Sequence, residues 1–267
     1  MKRPLSFAHI TRITQSTMFL PLAPVLLVQA RRTARNTPRL DPATGAETGV
    51  TTGTEPAFRL LVIGESTAAG VGATAHAEAL PGFLADALRR HLRRSVAWSV
   101  TGKNGATVRR VITDLVPTSN GSAPDLVVVT VGINDLIRRR PLKRWAADLA
   151  ELLTALRARY RHAAVLVAGM PPVHRFPAIP QPLRMVLGAQ ARAMDRIMRE
   201  VAHEHGAVHV PMDEAMARDR RLFASDGFHP SPAGYRVWAH DLALAISSPA
   251  AYAPWPPRPV HPARSAL

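Results

Sequence analysis

Five short apolar runs punctuate the middle of the chain, and between them the apolar residues change period. Arg59–Ile63 ends at Gly64, Val96–Val100 follows, and Asp125–Val131 is a continuous β-branched stretch; Val165–Ala168 and Val208–Pro211 complete the set. Uninterrupted runs of this length predict strands buried on both faces, as in a parallel sheet. The segments between them repeat every 3.6 residues. Phe83, Leu84, Leu88 and Leu92 share one side of a helix over Pro81–Arg94. Leu142, Trp145, Leu149, Leu152, Leu153, Leu156 and Tyr160 do the same behind Pro141. Gln181–His205 reads as a third helix, and Ser231 with Pro232 starts a fourth that runs to about Ile246. Strand–helix alternation predicts an α/β protein: a three-layer α/β/α sandwich around a parallel, flavodoxin-like five-stranded sheet, with ligands at the C-terminal strand ends.

The ends depart from this pattern and divide the chain into four regions. Residues 1–35 form a basic and apolar N-terminal segment, 36–57 a linker of Thr, Gly, Pro and acidic residues, 58–247 the folded domain, and 248–267 a Pro-rich tail. The apolar run Met18–Val28 is interrupted by Pro21 and Pro24 and, at 11 residues, is shorter than the roughly 20 that a membrane span needs. It has the length of a signal-peptide core, with Val28-Gln29-Ala30 resembling a cleavage site. Arg31, Arg32, Arg35 and Arg39 follow at once, and positive charge there favours retention on the cytoplasmic side. A third reading lays the segment in the membrane interface, arginines on headgroups. The expectation is therefore a cytoplasmic protein peripheral to the membrane, with export after cleavage near Ala30 as the alternative.

Composition narrows the chemistry. Hydrophobic residues make up 47% of the chain, enough for a buried core, and there are no cysteines. Disulfides, thiolate metal sites and a Cys nucleophile are excluded. The net charge is +15, and all but Lys2, Lys103 and Lys143 of the 34 basic residues are arginine. They spread over several elements instead of gathering on one, so no nucleic-acid partner is expected, whereas an anionic membrane surface is. His203-Glu204-His205 lacks zinc-motif spacing, and no metal is expected. The glycines of Gly70–Ala75 begin seven residues after Ile63, too far for a dinucleotide turn, and no Gly-Lys-Ser/Thr phosphate loop occurs. No cofactor is expected.

Reactive residues collect where the predicted strands end. Gly64-Glu65-Ser66-Thr67 follows the first, Gly102-Lys103-Asn104-Gly105 the second, and Gly132-Ile133-Asn134-Asp135 the third. Before the last helix stands Asp226-Gly227-Phe228-His229, whose three-residue spacing lets one loop aim a carboxylate at an imidazole. A serine on a tight strand-to-helix turn can expose its Oγ while its own N–H faces a developing oxyanion. An α/β-hydrolase nucleophile turn would need glycine where Ala68 stands.

In this order the four blocks resemble the SGNH hydrolases, also called the GDSL esterase/lipase family, over roughly residues 58–246. The resemblance implies Ser66 as nucleophile, with Asp226 and His229 completing a triad. It implies an oxyanion hole of the Ser66 and Gly105 N–H groups and the Asn134 amide. It also implies hydrolysis of a small-molecule acyl ester or thioester through an acyl-enzyme. Glu65 departs from the family's Gly-Asp-Ser, and the expectation is a changed hydrogen-bond anchor beneath the turn with activity kept. Met170, Val173 and Phe176, after the fourth strand, are the candidate apolar wall for substrate. The rival reading is a non-catalytic binder of anionic surfaces that uses the basic run Arg138-Arg139-Arg140 with Lys143 and Arg144.

Overall fold

A computed structural model of the chain describes residues 22–119 and 123–246. The Pro-rich tail at 248–267 and the start of the apolar run at 18–21 lie outside the described residues. The strands are β1 (Thr48–Val50), β2 (Phe58–Gly64), β3 (Val96–Gly102), β4 (Leu126–Thr130), β5 (Ala164–Ala168) and β6 (Val208–Val210). They form one sheet in the order β1-β3-β2-β4-β5-β6. All neighbours are parallel except β1, which pairs antiparallel with β3. The helices are α1 (Ala23–Asn36), α2 (Leu80–Leu92), α3 (Val108–Arg110, continued by a π-turn over Val111–Leu115), α4 (Ile133–Ile137), α5 (Leu142–Arg159), α6 (Leu183–Glu204) and α7 (Pro232–Ile246).

The five apolar runs are the five parallel strands. Period-2 alternation sends their side chains to two separate cores. Leu61, Ile63, Val127, Val129, Val165 and Val167 face α5 and α6, while Leu60, Val62, Val128, Leu166 and Ala168 face α2 and α7. That is the α/β/α sandwich, and Trp145, Leu149, Leu152, Leu153 and Leu156 of α5 are fully buried on their predicted face. Ser231 caps α7 by accepting from the Gly234 N–H at 3.2 Å.

The expected count of five strands is corrected to six. Residues 36–57, read as a linker, contain β1, three residues whose Thr48, Gly49 and Val50 pair with Ser99, Trp98 and Ala97. A strand this short carries no alternation of its own, and a partner's free edge makes it a strand. The N-terminal segment also acquires structure. Val28-Gln29-Ala30 lies inside α1, and Gln29 ties that helix to the body: its Nε2 donates to the Gln181 carbonyl (2.6 Å) and its Oε1 accepts from the Leu183 N–H (3.0 Å). Among the described residues no helix is long and apolar enough to cross a membrane.

Candidate active site

The parallel register brings three strand ends level. Gly64 pairs with Gly102 on one side and Thr130 on the other, so the loops after β2, β3 and β4 leave the sheet side by side. Glycine is required at position 64 because a Cβ there would sit 2.0 Å from the Thr130 carbonyl oxygen. The chain then turns sharply: the Glu65 N–H donates to the Thr130 carbonyl (2.9 Å) and the Ala69 N–H to the Glu65 carbonyl (3.0 Å). Ser66 stands at the start of that turn, just past the end of β2, which lies between β3 and β4, and is 3% exposed.

His229 reaches it from the far end of the chain. Its Nε2 lies 2.9 Å from Ser66 Oγ, across 163 residues of sequence, and its Nδ1 lies 2.6 Å from Asp226 Oδ2. The other oxygen of Asp226 accepts from the Phe228 N–H (2.9 Å) and the His229 N–H (3.0 Å), which fixes the loop as well as the ring. Burial raises the Asp226 pKa, but the bond from the His229 ring and the two backbone N–H groups outweigh it, holding the carboxyl below its ordinary range. The carboxylate is therefore charged at neutral pH. It makes Nδ1 of His229 the protonated nitrogen and leaves Nε2 to accept from Ser66.

Two potential oxyanion donors are unengaged. Among the described residues neither the Ser66 N–H nor the Gly105 N–H has a hydrogen-bond partner. Gly105 has φ +76°, and a Cβ there would meet open space, so glycine serves the backbone turn and not packing. The third, Asn134, is held by Glu65. Its Nδ2 donates to Glu65 Oε2 at 2.7 Å, and the same carboxyl accepts from the Ile133 and Asn134 N–H groups at 3.2 and 3.3 Å. One Nδ2 hydrogen is used in this way and the other is free. Burial pushes Glu65 up to about 7, with the three N–H donors opposing the rise. Sequence reasoning located the changed anchor at Glu65 but not its partner, because the Glu65–Asn134 contact spans 69 residues.

The proposed apolar wall divides. Phe176 lines a cavity of about 50 Å³ beside Ser66, and its ring packs edge-on against Phe228 at 5.0 Å; Phe228 in turn contacts the His229 ring at 5.3 Å. Met170 and Val173 are buried in the core against α5 and α6 and line neither this cavity nor the larger cleft that Ser66 also lines. They are buried because the loop after β5 turns inward under α6. Of the basic run, Arg140 pairs with Asp148 at 2.6 Å, and Arg139 and Arg140 line that larger cleft. Among the described residues no cluster of His, Asp and Glu could hold a metal ion.

Residues 62–237 match the model of the GDSL-like lipase/acylhydrolase family. The chain is 31% identical over 194 residues to the GDSL-like esterase Rv1075c of Mycobacterium tuberculosis, an alignment covering 70% of this chain and 61% of that protein. The chain thus spans about three-fifths of the length of its curated relative. Among solved structures, TesA superposes with a TM-score of 0.57 at 22% identity, covering 72% of this chain and 99% of that one. LAE5, an enzyme from the metagenome of Lake Arreo, Spain, gives 0.56 at 21%, covering 73% and 96%. At these identities the two structures speak for the fold alone.

Proposed function

This chain belongs to the GDSL-like lipase/acylhydrolase family, and on that premise we propose that it is a serine hydrolase cleaving a small-molecule acyl ester or thioester through an acyl-enzyme on Ser66. The observation that carries the reading is the imidazole of His229 bridging Ser66 Oγ at 2.9 Å and Asp226 Oδ2 at 2.6 Å. A serine hydroxyl is a weak nucleophile until a base takes its proton during attack. His229 Nε2 is that base, and the imidazolium that forms is stabilised by the Asp226 carboxylate. Attack on the acyl carbonyl forms the Oγ–C bond and moves an electron pair onto the carbonyl oxygen. The Ser66 N–H, the Gly105 N–H and the free Asn134 amide hydrogen receive that charge. Collapse expels the alcohol or thiol, which takes the proton from His229. A water activated by the same imidazole then frees the acid and restores Ser66.

The test is covalent labelling. Incubation with a serine-directed phosphonate should abolish hydrolysis of p-nitrophenyl butyrate and add one phosphonyl mass on the peptide holding Ser66. Ser66→Ala should lose about 10³-fold or more in turnover while its melting temperature holds. A folded Ser66→Ala protein that turns over ester at the wild-type rate overturns the assignment.

The same helix that carries the N-terminal charge supports peripheral attachment to the anionic cytoplasmic leaflet. Val25 and Val28 of α1 are exposed, and Arg31, Arg32 and Arg35 follow within two turns. Each basic residue at an anionic surface contributes about 1 kcal/mol, screened by salt. Anionic vesicles should co-sediment the full chain at low salt and lose it when residues 1–35 are removed; no sedimentation of the full chain refutes the attachment.

A further inference from the structure

We propose that the cleft between α1 and α6 is a subsite for the hydrocarbon chain of the ester, and that α1 is the wall that sets how long a chain the site accepts. The proposal rests on the serine hydrolase reading given above. Two spaces adjoin Ser66, and they are unequal. The cavity beside Phe176 and Trp238 holds about 50 Å³, room for little more than a water or a methyl group. The second, a cleft, holds about 1480 Å³ and has Ser66, Asn134 and His229 in its lining. Small-molecule sites usually fall between about 300 and 1,000 Å³. The cleft therefore has room for a long chain, and the nucleophile is already inside it.

Its walls are mainly apolar and partly bare, although Arg139, Arg140, Arg196 and Glu200 also line it. Leu26, Leu27 and Ala30 come from α1, Ile137 from the end of α4, and Leu183 and Met185 from the start of α6. Leu27, Ile137 and Met185 are 49%, 52% and 49% exposed, among the most exposed large apolar side chains of the described residues, and all three gather here. A cluster of large apolar side chains left open to water marks a place where something apolar binds. With Ser66 in the same lining, that occupant is part of the substrate.

The construction of α1 fits a wall more than a core element. It lies outside the region that matches the family, at 62–237. None of its residues is buried, and it touches the body mainly through Leu26 and the Gln29 amide. That amide holds the start of α6, accepting the Leu183 N–H that a helix N-terminus otherwise leaves without a partner. The helix is thus held to the body around Leu26 and Gln29. Ala30 and Ala34, both small and exposed, face the gap.

Chain-length selectivity tests this. Full burial of a methylene is worth about fourfold in kcat/KM, so a half-open cleft should give about twofold per methylene. We expect that rise along p-nitrophenyl acyl esters from butyrate to dodecanoate if the acyl chain occupies the cleft, or along n-alkyl acetates if the alcohol chain does. Ala30→Trp and Ala34→Trp fill the cleft without touching the core or Ser66. Each should cut kcat/KM for the longest ester at least tenfold, while p-nitrophenyl acetate turnover stays within twofold of wild type. Gln29→Ala, which unclamps α1, should flatten the series and serves where a tryptophan disturbs folding. Acetate turnover with flat series in the wild type, unmoved by these variants, overturns the cleft and leaves the hydrolase reading standing. If no ester is turned over, displacement of a fluorescent fatty acid by dodecanoate decides. Displacement from wild type but not from Ala30→Trp upholds the cleft while the hydrolase reading falls, and no fatty-acid binding overturns the cleft.

Discussion

Replacing Glu65 with Gln should change how stability depends on pH, by an amount the site itself sets. The carboxyl is 5% exposed, and burial raises it from 4.5 to about 7 against three N–H donors. At about 1.4 kcal/mol per pH unit, that rise corresponds to about 3 kcal/mol. Below about pH 4.5 both the folded and unfolded chains hold the proton, and the full benefit of burying a neutral carboxyl is present. Between about 4.5 and 7 the unfolded chain loses the proton while the folded one keeps it, so stability falls. Above 7 both are ionised and the loss is complete. Asp135, also raised by burial, titrates with the same sign, while Asp195 and Asp226 are lowered and act oppositely. The wild-type curve is therefore composite, and only its difference from Glu65→Gln isolates this group. Gln keeps one acceptor for the Asn134 N–H and Nδ2 but turns its NH₂ group toward the Ile133 N–H, a pH-independent cost of about 1–3 kcal/mol. The variant should thus be the less stable protein near pH 4 and recover by about 3 kcal/mol relative to wild type by pH 8. Urea unfolding followed by the buried Trp98, Trp145 and Trp238 measures the difference. A difference that stays flat across this window refutes the reasoning, because Glu65 would then ionise in the folded protein as it does in water.

Further outcomes follow from the same geometry. Asn134→Ala should lower kcat by about 10²–10³-fold with KM little changed, since the role proposed for its free amide hydrogen is on the oxyanion alone; steady-state kinetics beside a thermal melt separates this from a loss of fold. Asp226→Asn should lower kcat by roughly 10³–10⁴-fold, because an amide facing Nδ1 favours the tautomer that cannot accept from Ser66. Its lowered pKa also means that its stabilising contribution is present above the unfolded value of 3.8 and lost as pH falls through the folded one; acid unfolding of this variant should lack that component. Gly64→Ala should destabilise by roughly 3 kcal/mol or more, read by urea unfolding, because its Cβ collides with the Thr130 carbonyl and nothing but backbone can move.

What could be read without coordinates was local or periodic. The five parallel strands and helices α2, α5, α6 and α7 appear within two or three residues of their expected bounds, because long apolar stripes decide burial wherever the neighbours come from. The residues at the strand ends were legible for the same reason: a loop after a buried parallel strand opens on the ligand side of the sheet. Elements with little local signal were decided by their partners. Thr48–Val50 is a strand only because β3 offers an edge, and Ile133–Ile137, too short to carry a period of its own, is helix α4, whose first N–H groups meet the Glu65 carboxyl. Met170 and Val173 look like any exposed apolar loop until α6 covers them. Whether Ser66 and His229 meet, how far Glu65 is from water, and that α1 stands across a cleft are all products of chain closure over dozens to hundreds of residues. Periodicity reports which side of an element is buried. Distances between elements, and with them the hydrogen bonds and desolvation that set the chemistry, exist only once the layers have packed.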